Sequence, residues 1–326
     1  MVNDDLARDP AVAVLIPCFN EAGSIACVVS DFRSALPGAV VYVYDNNSTD
    51  DTGSKAAAAG AIVRREPQQG KGHVVRRMFA DVEADVYVLV DGDDTYDAFA
   101  ARDLVTRLLD DGLDMVNGRR IPTNPGSYRS GHRFGNWLLS RTVATIFGPR
   151  VVDMLSGLKV LSRRFVKSFP CLTTGFEIET ELTVHALELQ MPLAEVPVPY
   201  RERPVGSASK LNTLRDGLRI GWLILKLLRS ERPMVFFGCA FVFLATLSSL
   251  MGIELFVEWK RTGLVLRMPT AVLCTGMMLL AFLSVVCGMI LETVTLGRRE
   301  AKRMVYLAIA ARHFSPAPAA FSSVAR

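Results

Sequence analysis

The chain has 326 residues, of which 50% are hydrophobic and 21% are charged, and its formal net charge is +4. This length allows one large domain or two ordinary ones, and the apolar content excludes a disordered protein. The mild charge does not indicate a nucleic-acid partner.

The N-terminal third alternates short β-branched runs with helical stretches, which predicts parallel strands joined by crossover helices. The predicted strands are Val12–Pro17, Val40–Asp45, Ala61–Arg65, Val86–Asp91 and Met115–Gly118. The predicted helices are Ser24–Leu36, Asp50–Ala59, Lys71–Ala84 and Ala98–Asp110, with Gly60 and Gly112 as left-handed caps. Ligands of such open sheets bind beyond the carboxyl ends of the strands, so the residues that end each strand are the first candidates for chemistry.

Acidic and amide side chains follow three of these strands, in Pro17–Glu21, Asp45–Asp50 and Asp91–Asp94. Each segment alone is typical of turns and helix caps, but at successive strand ends they indicate a shared site. Asp91 and Asp93 are two residues apart and can reach one ion, while Gly92 allows a close approach. Hard divalent ions combine such carboxylates with substrate phosphates, so the motif predicts Mg²⁺ or Mn²⁺ and a diphosphate ligand.

A glycine-rich turn, Gly70 to Gly72, opens the third predicted helix, where free N–H groups, the helix dipole and Lys71 favour an anion. The turn does not match the phosphate-binding loop of the Walker type. Arg65 stands where the first glycine of that pattern belongs, and Gly72 stands where Ser or Thr belongs, which disfavours an ATPase of that kind.

Two apolar runs, Pro233–Trp259 and Met268–Leu291, each exceed the roughly 20 residues that cross a bilayer as a helix. They predict a transmembrane hairpin, and the alternative is a pair of buried helices in a soluble core. Basic residues flank the hairpin on its outer sides and predict that both ends face the cytoplasm. The connecting loop also carries Lys260, Arg261 and Arg267, so the predicted orientation rests in addition on the need for cytosolic substrates.

We therefore expect a cytosolic catalytic domain in residues 1–210, an amphipathic juxtamembrane helix in 211–232 and a transmembrane hairpin in 233–292, with spans at about 233–258 and 268–291. Residues 293–326 are expected to form a cytosolic basic segment and a disordered tail from His313. Phe134–Phe147 has the composition of a second helix at the lipid surface, with ordinary core packing as the alternative. An integral membrane protein with two spans follows, in the plasma or inner membrane if the source is bacterial.

Four motifs stand in the order and spacing of the family 2 inverting glycosyltransferases: Pro17-Cys-Phe-Asn-Glu21, Asp45 with Ser48-Thr-Asp50, Gly70-Lys-Gly72 and Asp91-Gly-Asp93. Over roughly residues 11–292 the chain resembles their polyprenyl-phosphate branch. It is similar to dolichyl-phosphate mannose synthases and to bacterial polyprenyl-phosphate glucosyl and aminoarabinosyl transferases. The resemblance implies an α/β fold of the nucleotide-sugar transferase (GT-A) type, a mixed sheet with helices on both faces, followed by interfacial helices and the transmembrane hairpin.

The same resemblance implies transfer of a sugar from a UDP or GDP sugar to a polyprenyl phosphate. Asp45 and Glu21 would hold the base and ribose, Asp91 would lie near the ribose and metal, and Asp93 would ligate the metal. The implied donor-binding residues are Pro17, Asn20, Glu21, Asp45, Lys71, Asp91, Gly92 and Lys210. The implied metal ligands are Asp91 and Asp93. Thr95 occupies a position where the family often has Gln, so water would complete the metal shell.

Basic residues on the acceptor side suit phosphate binding, because an arginine can bind two phosphate oxygens at once. Arg119 and Arg133 are assigned to the lipid phosphate, and Arg201, Arg203 and Lys210 to the donor diphosphate or its surroundings. A solvated surface charge is the alternative for any one of them.

Asp153 matches an acidic position often proposed as the catalytic base of inverting enzymes. A phosphate monoester loses its second proton at a pH of about 6, so the acceptor oxygen is already anionic and a strong base is unnecessary. We expect Asp153 to orient a group or to organise its loop. The predicted catalytic set is Asp93, Asp153, Arg201 and Arg203. Glu177 is a further candidate near the donor sugar, although Glu177 and Glu181 also have the spacing of a solvated helix face.

Two other functions fit part of the pattern. A processive polysaccharide synthase shares the first three motifs, but two spans are too few for a pore, and no Gln-x-x-Arg-Trp follows the aspartates. A non-catalytic nucleotide-binding membrane scaffold is the second alternative. The presence of both Asp91 and Asp93 argues against it. Homo-oligomers are possible through the spans and interfacial helices.

Overall fold

The computed structural model describes residues 9–123, 140–145, 151–175, 177–201 and 213–310. The chain divides into two compact units, one formed by Met1–Gly217 with Lys302–Arg326 and the other by Leu218–Ala301. The first unit carries a β-sheet, and the second carries long apolar helices.

Among the residues that the structure describes, seven strands form one mixed sheet in the first unit. They are β1 (Val12–Cys18), β2 (Val40–Asp45), β3 (Ile62–Arg65), β4 (Val86–Leu89), β5 (Met115–Pro122), β6 (Lys159–Ser162) and β7 (Leu193–Tyr200). Their order in the sheet is β3-β2-β1-β4-β6-β5-β7. The first four strands run parallel, β6 runs antiparallel to β4 and β5, and β7 runs parallel to β5. The mixed sheet is confirmed, and β6 and β7 are strands that the sequence pattern did not predict.

Among the described residues of the first unit, the helices that follow in chain order include α1 (Ile25–Ala35), α2 (Thr52–Ala58), α3 (Lys71–Asp81), α4 (Ala98–Asp110), α5 (Arg163–Ser168) and α6 (Ile178–Glu188). The first four lie where they were predicted. Gly60 and Gly112 have φ of +93° and +61°, as expected for left-handed positions at helix ends.

The helices cover both faces of the sheet, because successive side chains of each strand point to opposite sides. Ile16 of β1 packs in one core with Phe32 of α1 and Leu104 of α4. Its neighbour Leu15 packs in the other core with Met78 of α3. With both faces covered, the carboxyl ends of the parallel strands are the part of the sheet available to a ligand.

Three helices follow: α7 (Thr213–Glu231), α8 (Pro233–Thr262) and α9 (Met268–Ala308). α8 and α9 are long and apolar enough to cross a membrane. α9 has 41 residues and is about 60 Å long, roughly twice the hydrocarbon thickness of a bilayer. The helix therefore continues beyond the predicted span and through most of the basic segment. The predicted disordered tail from His313 lies outside the described residues.

A buried carboxylate joins the helices of the second unit. Glu231 is 5% exposed, and its oxygens accept hydrogen bonds from Arg298 at 2.6 Å and from Arg299 at 3.2 Å. The Ser248 hydroxyl of α8 donates to the Cys274 carbonyl of α9 at 2.8 Å. These polar contacts supplement apolar packing between helices that expose most of their surface.

Candidate active site

Hydrogen bonds connect the loops after β1 and β2 at the carboxyl edge of the sheet. The Asn20 N–H donates to the Ser48 hydroxyl at 2.9 Å, and the Asn20 side-chain oxygen accepts from the Thr49 N–H at 2.8 Å. The Glu21 N–H donates to the Thr52 hydroxyl at 2.9 Å. In the strands themselves Pro17 lies beside Tyr44 in the parallel register. The two predicted donor-binding segments are thus one connected structure.

Four carboxylates surround the end of β1. Burial, followed by the charges of Glu21, Asp45, Asp91 and Asp93, raises the pKa of the Cys18 thiol well above its ordinary value. Because β2 and β4 flank β1 and run parallel to it, the acidic segments that follow these three strands lie at one edge of the sheet, as their order in the sequence predicted.

The turn after β4 places its two aspartates in different surroundings. Asp93 is buried, at 4% exposure, and its Oδ1 accepts a hydrogen bond from the Thr95 hydroxyl at 2.6 Å. The Thr95 hydroxyl therefore contacts Asp93, the predicted metal ligand. A β-carbon at Gly92 would lie 2.7 Å from the Cys18 sulfur, so a glycine is required for this close approach.

Lys71 lies between two carboxylates. Its ammonium is 2.5 Å from Asp91 Oδ1 and also contacts Glu179 Oε1. Burial disfavours the lysine charge, but the two carboxylates outweigh it and raise the pKa of Lys71. Burial also raises the pKa of Glu179, against the influence of Lys71. The lysine predicted to attract a donor phosphate thus links the Asp91 turn to α6.

Glu179 is a residue that the sequence pattern missed, because 108 residues separate it from Lys71. The pattern had singled out Glu177 and Glu181. Glu177 lies just before α6. Glu181 is not on a solvated face, since its oxygens accept hydrogen bonds from the backbone N–H groups of Leu172 at 2.8 Å and Thr173 at 2.9 Å.

The glycines of the Gly70 to Gly72 turn serve packing. A β-carbon at Gly70 would collide with the Thr174 carbonyl, and one at Gly72 with the Thr173 carbonyl. The Gly72 N–H, which the sequence left free for an anion, donates to the Thr174 oxygen at 3.1 Å. The first turn of α3 therefore holds the loop that precedes α6.

Asp153 is joined to Arg120 by three hydrogen bonds. The guanidinium donates at 2.8 and 2.7 Å to the two carboxylate oxygens, and the Arg120 backbone N–H donates at 3.1 Å. Burial favours the neutral acid, but the hydrogen bonds and charge of Arg120 lower the pKa of Asp153. This arrangement suits a group that orients its neighbours rather than a base that takes up a proton.

Of the other predicted basic residues, the structure describes Arg119 on β5 and Arg201 just after β7. Arg119 and Arg120 are consecutive on β5 and so project to opposite faces of the sheet. Arg201 follows β7, is exposed, and its backbone N–H donates to the Thr95 carbonyl at 2.8 Å beside the acidic turn. Arg133, Arg203 and Lys210 lie outside the described residues.

One other group could hold a cation. Among the residues that the structure describes, Cys27, Asp31 and Asp94 bring a sulfur and two carboxylates within 4.8 Å of one another. A thiol is a poor ligand for a hard ion, whereas Asp91 and Asp93 offer oxygen only. The donor set after β4 therefore fits Mg²⁺ or Mn²⁺ better than this group does.

The fold and the acidic edge define the class of protein. The structure resembles a glucosyl-3-phosphoglycerate synthase from Mycobacterium tuberculosis, solved with Mn²⁺, uridine diphosphate and glucosyl-3-phosphoglycerate, with a TM-score of 0.54 and 23% sequence identity. The likeness covers 67% of this chain and 79% of that one, and it shows a fold of the GT-A type.

The sequence comparisons give the family. Residues 13–168 match the family described as Glycosyl transferase family 2. The glycosyltransferase AglJ of Haloferax volcanii is 35% identical over 255 residues, which are 77% of this chain and 82% of that protein. A dolichyl-phosphate hexose transferase of the same organism is 29% identical over 221 residues, 68% of this chain and 95% of that protein. The chain belongs to glycosyltransferase family 2.

Proposed function

We propose that this glycosyltransferase moves a sugar from a nucleotide diphosphate sugar to a polyprenyl phosphate at the cytosolic face of a membrane, with Mg²⁺ or Mn²⁺. The observation that carries the proposal is one chain that combines an acidic sheet edge with two helices able to cross a membrane. A soluble donor and a lipid acceptor require these two features together. The relative described as a dolichyl-phosphate hexose transferase supports the same acceptor class.

On the donor side, Glu21 and Asp45 would hold the base and ribose, with Pro17 and Asn20 shaping their loops. Asp91 and Asp93 would hold the metal ion, which would offset the negative charge of the diphosphate as it leaves. Without a cation, the carboxylates around β1 would repel the diphosphate.

On the acceptor side, the phosphate oxygen is anionic at neutral pH and needs no deprotonation. That oxygen would form a bond to the anomeric carbon while the bond from this carbon to the diphosphate breaks, and the nucleoside diphosphate would leave with the bonding electrons. Attack opposite the leaving group inverts the configuration. Asp153 would then act by holding the Arg120 guanidinium in place.

The remaining basic residues keep the roles that the resemblance implies. Arg119 and Arg133 are proposed for the lipid phosphate, and Arg201, Arg203 and Lys210 for the donor diphosphate. Basic residues outside both spans support a catalytic unit on the cytosolic side, where nucleotide sugars are made.

The test is a screen of UDP and GDP sugars with the full-length protein, a polyprenyl phosphate and Mg²⁺ or Mn²⁺, followed by mass spectrometry of the lipid product. We expect one sugar on one lipid phosphate. Asp103→Asn, a change at an exposed aspartate of α4, is the matched control and should keep full activity. A polymer would indicate the processive synthase, and donor binding without turnover would indicate the scaffold.

A further inference from the structure

Three neighbouring strands place a row of polar side chains across the sheet, outside the residues assigned above. Asn117 of β5 pairs in register with Lys159 of β6 on one side and with Glu195 of β7 on the other. Lys159 is fully buried and Asn117 is 0% exposed. Buried polar groups of this kind are costly unless they are hydrogen-bonded, so their partners require an explanation.

The buried Lys159 determines the orientation of the Asn117 side-chain amide. Lys159 Nζ donates to Asn117 Oδ1 at 2.6 Å and to the Thr183 hydroxyl at 3.2 Å. An ammonium has donors only, so the amide oxygen must face the lysine and the amide nitrogen must face away. That nitrogen donates to Glu195 Oε1 at 2.9 Å and to the Asp153 carbonyl at 2.9 Å.

Nearby carboxylates favour the charged form of the buried lysine. Burial lowers the pKa of Lys159 to about 8, while the charges of Asp153, Glu179 and Glu195 oppose this change. The Arg120 charge acts in the same direction as burial. These carboxylates thus favour the ammonium form, which donates to Asn117 and Thr183.

Glu195 in turn forms hydrogen bonds to the loop before β6. Its carboxylate accepts hydrogen bonds from the Val152 N–H at 3.1 Å and from the Asp153 N–H at 3.0 Å. Both the N–H and the C=O of Asp153 are thus held by this row, while its side chain binds Arg120. A loop without regular secondary structure depends on such side-chain contacts for its position.

The far end of the loop reaches the acidic turn after β4. The Ser156 hydroxyl donates to the Gly118 carbonyl at 2.5 Å, and the Gly157 N–H donates to the Tyr96 hydroxyl at 2.6 Å. A β-carbon at Gly157 would collide with the Asp91 carboxylate. The loop therefore touches Arg120 at one end and Asp91 at the other.

We propose that Lys159, Asn117 and Glu195 are positioning residues that hold the 151–157 loop, and through it the Asp153–Arg120 ion pair, in the geometry that sugar transfer requires. The inference rests on the proposed function. The three residues touch no substrate in this account, and they act only through the loop.

The first test measures the loop directly by hydrogen exchange of the peptide that contains residues 151–158 in the full-length protein in detergent. Glu195→Gln removes a charged acceptor, so exchange at Val152 and Asp153 should become about tenfold faster. The control is Glu188→Gln, the same change at a buried carboxylate of α6 that pairs with Lys302 at 2.6 Å. The control should leave exchange of the loop unchanged.

A second variant covers the case in which Glu195→Gln does not fold. Asn117→Asp keeps the oxygen that faces Lys159 but replaces the donor that faces Glu195 with an acceptor, so the two carboxylates repel each other. It should also speed exchange of the loop. Unchanged exchange in the folded variants would overturn the inference, whether or not any sugar is transferred.

The second test is a double-mutant cycle on transfer to polyprenyl phosphate. Glu195→Gln alone should lower kcat about tenfold, but little further in the Asp153→Asn background, because the loop acts through that pair. Glu188→Gln should change kcat little in either background. Independent, multiplying effects of Glu195→Gln and Asp153→Asn would contradict the inference. Absence of transfer by the unmodified protein with every donor would instead contradict the proposed function.

Discussion

At the scale of single residues, the site is organised by the pairing of charges rather than by exposed reactive groups. Lys71 is held by Asp91 and Glu179, and Asp153 is held by Arg120. Buried pairs of this kind are strongly destabilising when one partner is removed, because the other charge stays buried. Substitutions at these positions should therefore be judged on stability and on turnover separately.

The first prediction ranks two aspartates. Asp93→Asn removes a charge from the proposed metal site and should lower kcat about a hundredfold or more. Asp153→Asn keeps the size of a side chain that only orients Arg120, and it should lower kcat about tenfold. Steady-state kinetics on variants with unchanged melting temperatures provide the comparison, and equal losses would contradict the ranking.

The second prediction concerns the buried lysine. Lys71→Met removes the ammonium between Asp91 and Glu179 and should lower the free energy of unfolding by about 3 kcal/mol. Adding Glu179→Gln should recover part of that loss, because one of the two facing charges is then gone. Thermal unfolding of the single and double variants measures this, with Lys55→Met at an exposed lysine as the control. Additive losses in the double variant would show that the two residues are not coupled.

At the scale of helices and strands, the sequence predicted the first five strands and four helices because their apolar runs are separated by clear turn and cap residues. β7 was missed because Pro197 and Pro199 interrupt its pattern, which is tolerated in a strand at the edge of the sheet. β6 was missed because it has four residues and begins with the buried Lys159. The acidic edge followed from strand order, but Glu179 and Glu195 did not, since their partners are distant in the sequence.

The third prediction tests the packing of α6 against α5. His185 is 2% exposed, and its ring meets Phe165 and Phe169 edge-on, with centroids 5.3 Å apart in each case. Burial, with a contribution from the Lys302 charge, lowers the pKa of His185 from 6.5 to about 3.

The unfolded chain therefore binds a proton at this histidine between about pH 6.5 and pH 3, whereas the folded chain does not. The free energy of unfolding should therefore decrease as the pH is lowered through that window, by roughly 1.4 kcal/mol per pH unit at most from this group. Melting temperatures from pH 7 to pH 4 should fall less steeply for His185→Phe. Identical slopes in the two proteins would rule out this histidine as a cause.

At the scale of the whole molecule, one chain combines a mixed-sheet unit with two helices that are long and apolar enough to cross a membrane. The two apolar helices expose most of their surface, as expected of segments that face lipid. The buried Glu231 pair and the Ser248 hydrogen bond link the helices of the second unit at polar points. The apolar length of α8 and α9 could be predicted from the sequence, whereas the contacts of Glu231 and Ser248 depend on how the helices pack.

The fourth prediction concerns the orientation of the hairpin. Alkaline phosphatase fused within residues 263–267 should be active in a bacterial host, because that loop should face away from the cytoplasm. Fusion after Ala310 should give an inactive enzyme, because the C-terminal end should be cytosolic. The opposite pair of activities would place the catalytic unit on the wrong side for nucleotide sugars.

The most direct test of the central claim is the affinity for uridine or guanosine diphosphate, measured by calorimetry on the full-length protein with Mg²⁺ and again with a chelator. The carboxylates around β1 should repel the diphosphate unless a cation lies between them. We predict that chelation weakens binding at least about tenfold, and that Asp93→Asn weakens the metal dependence. Equal affinity with and without the metal would contradict the account.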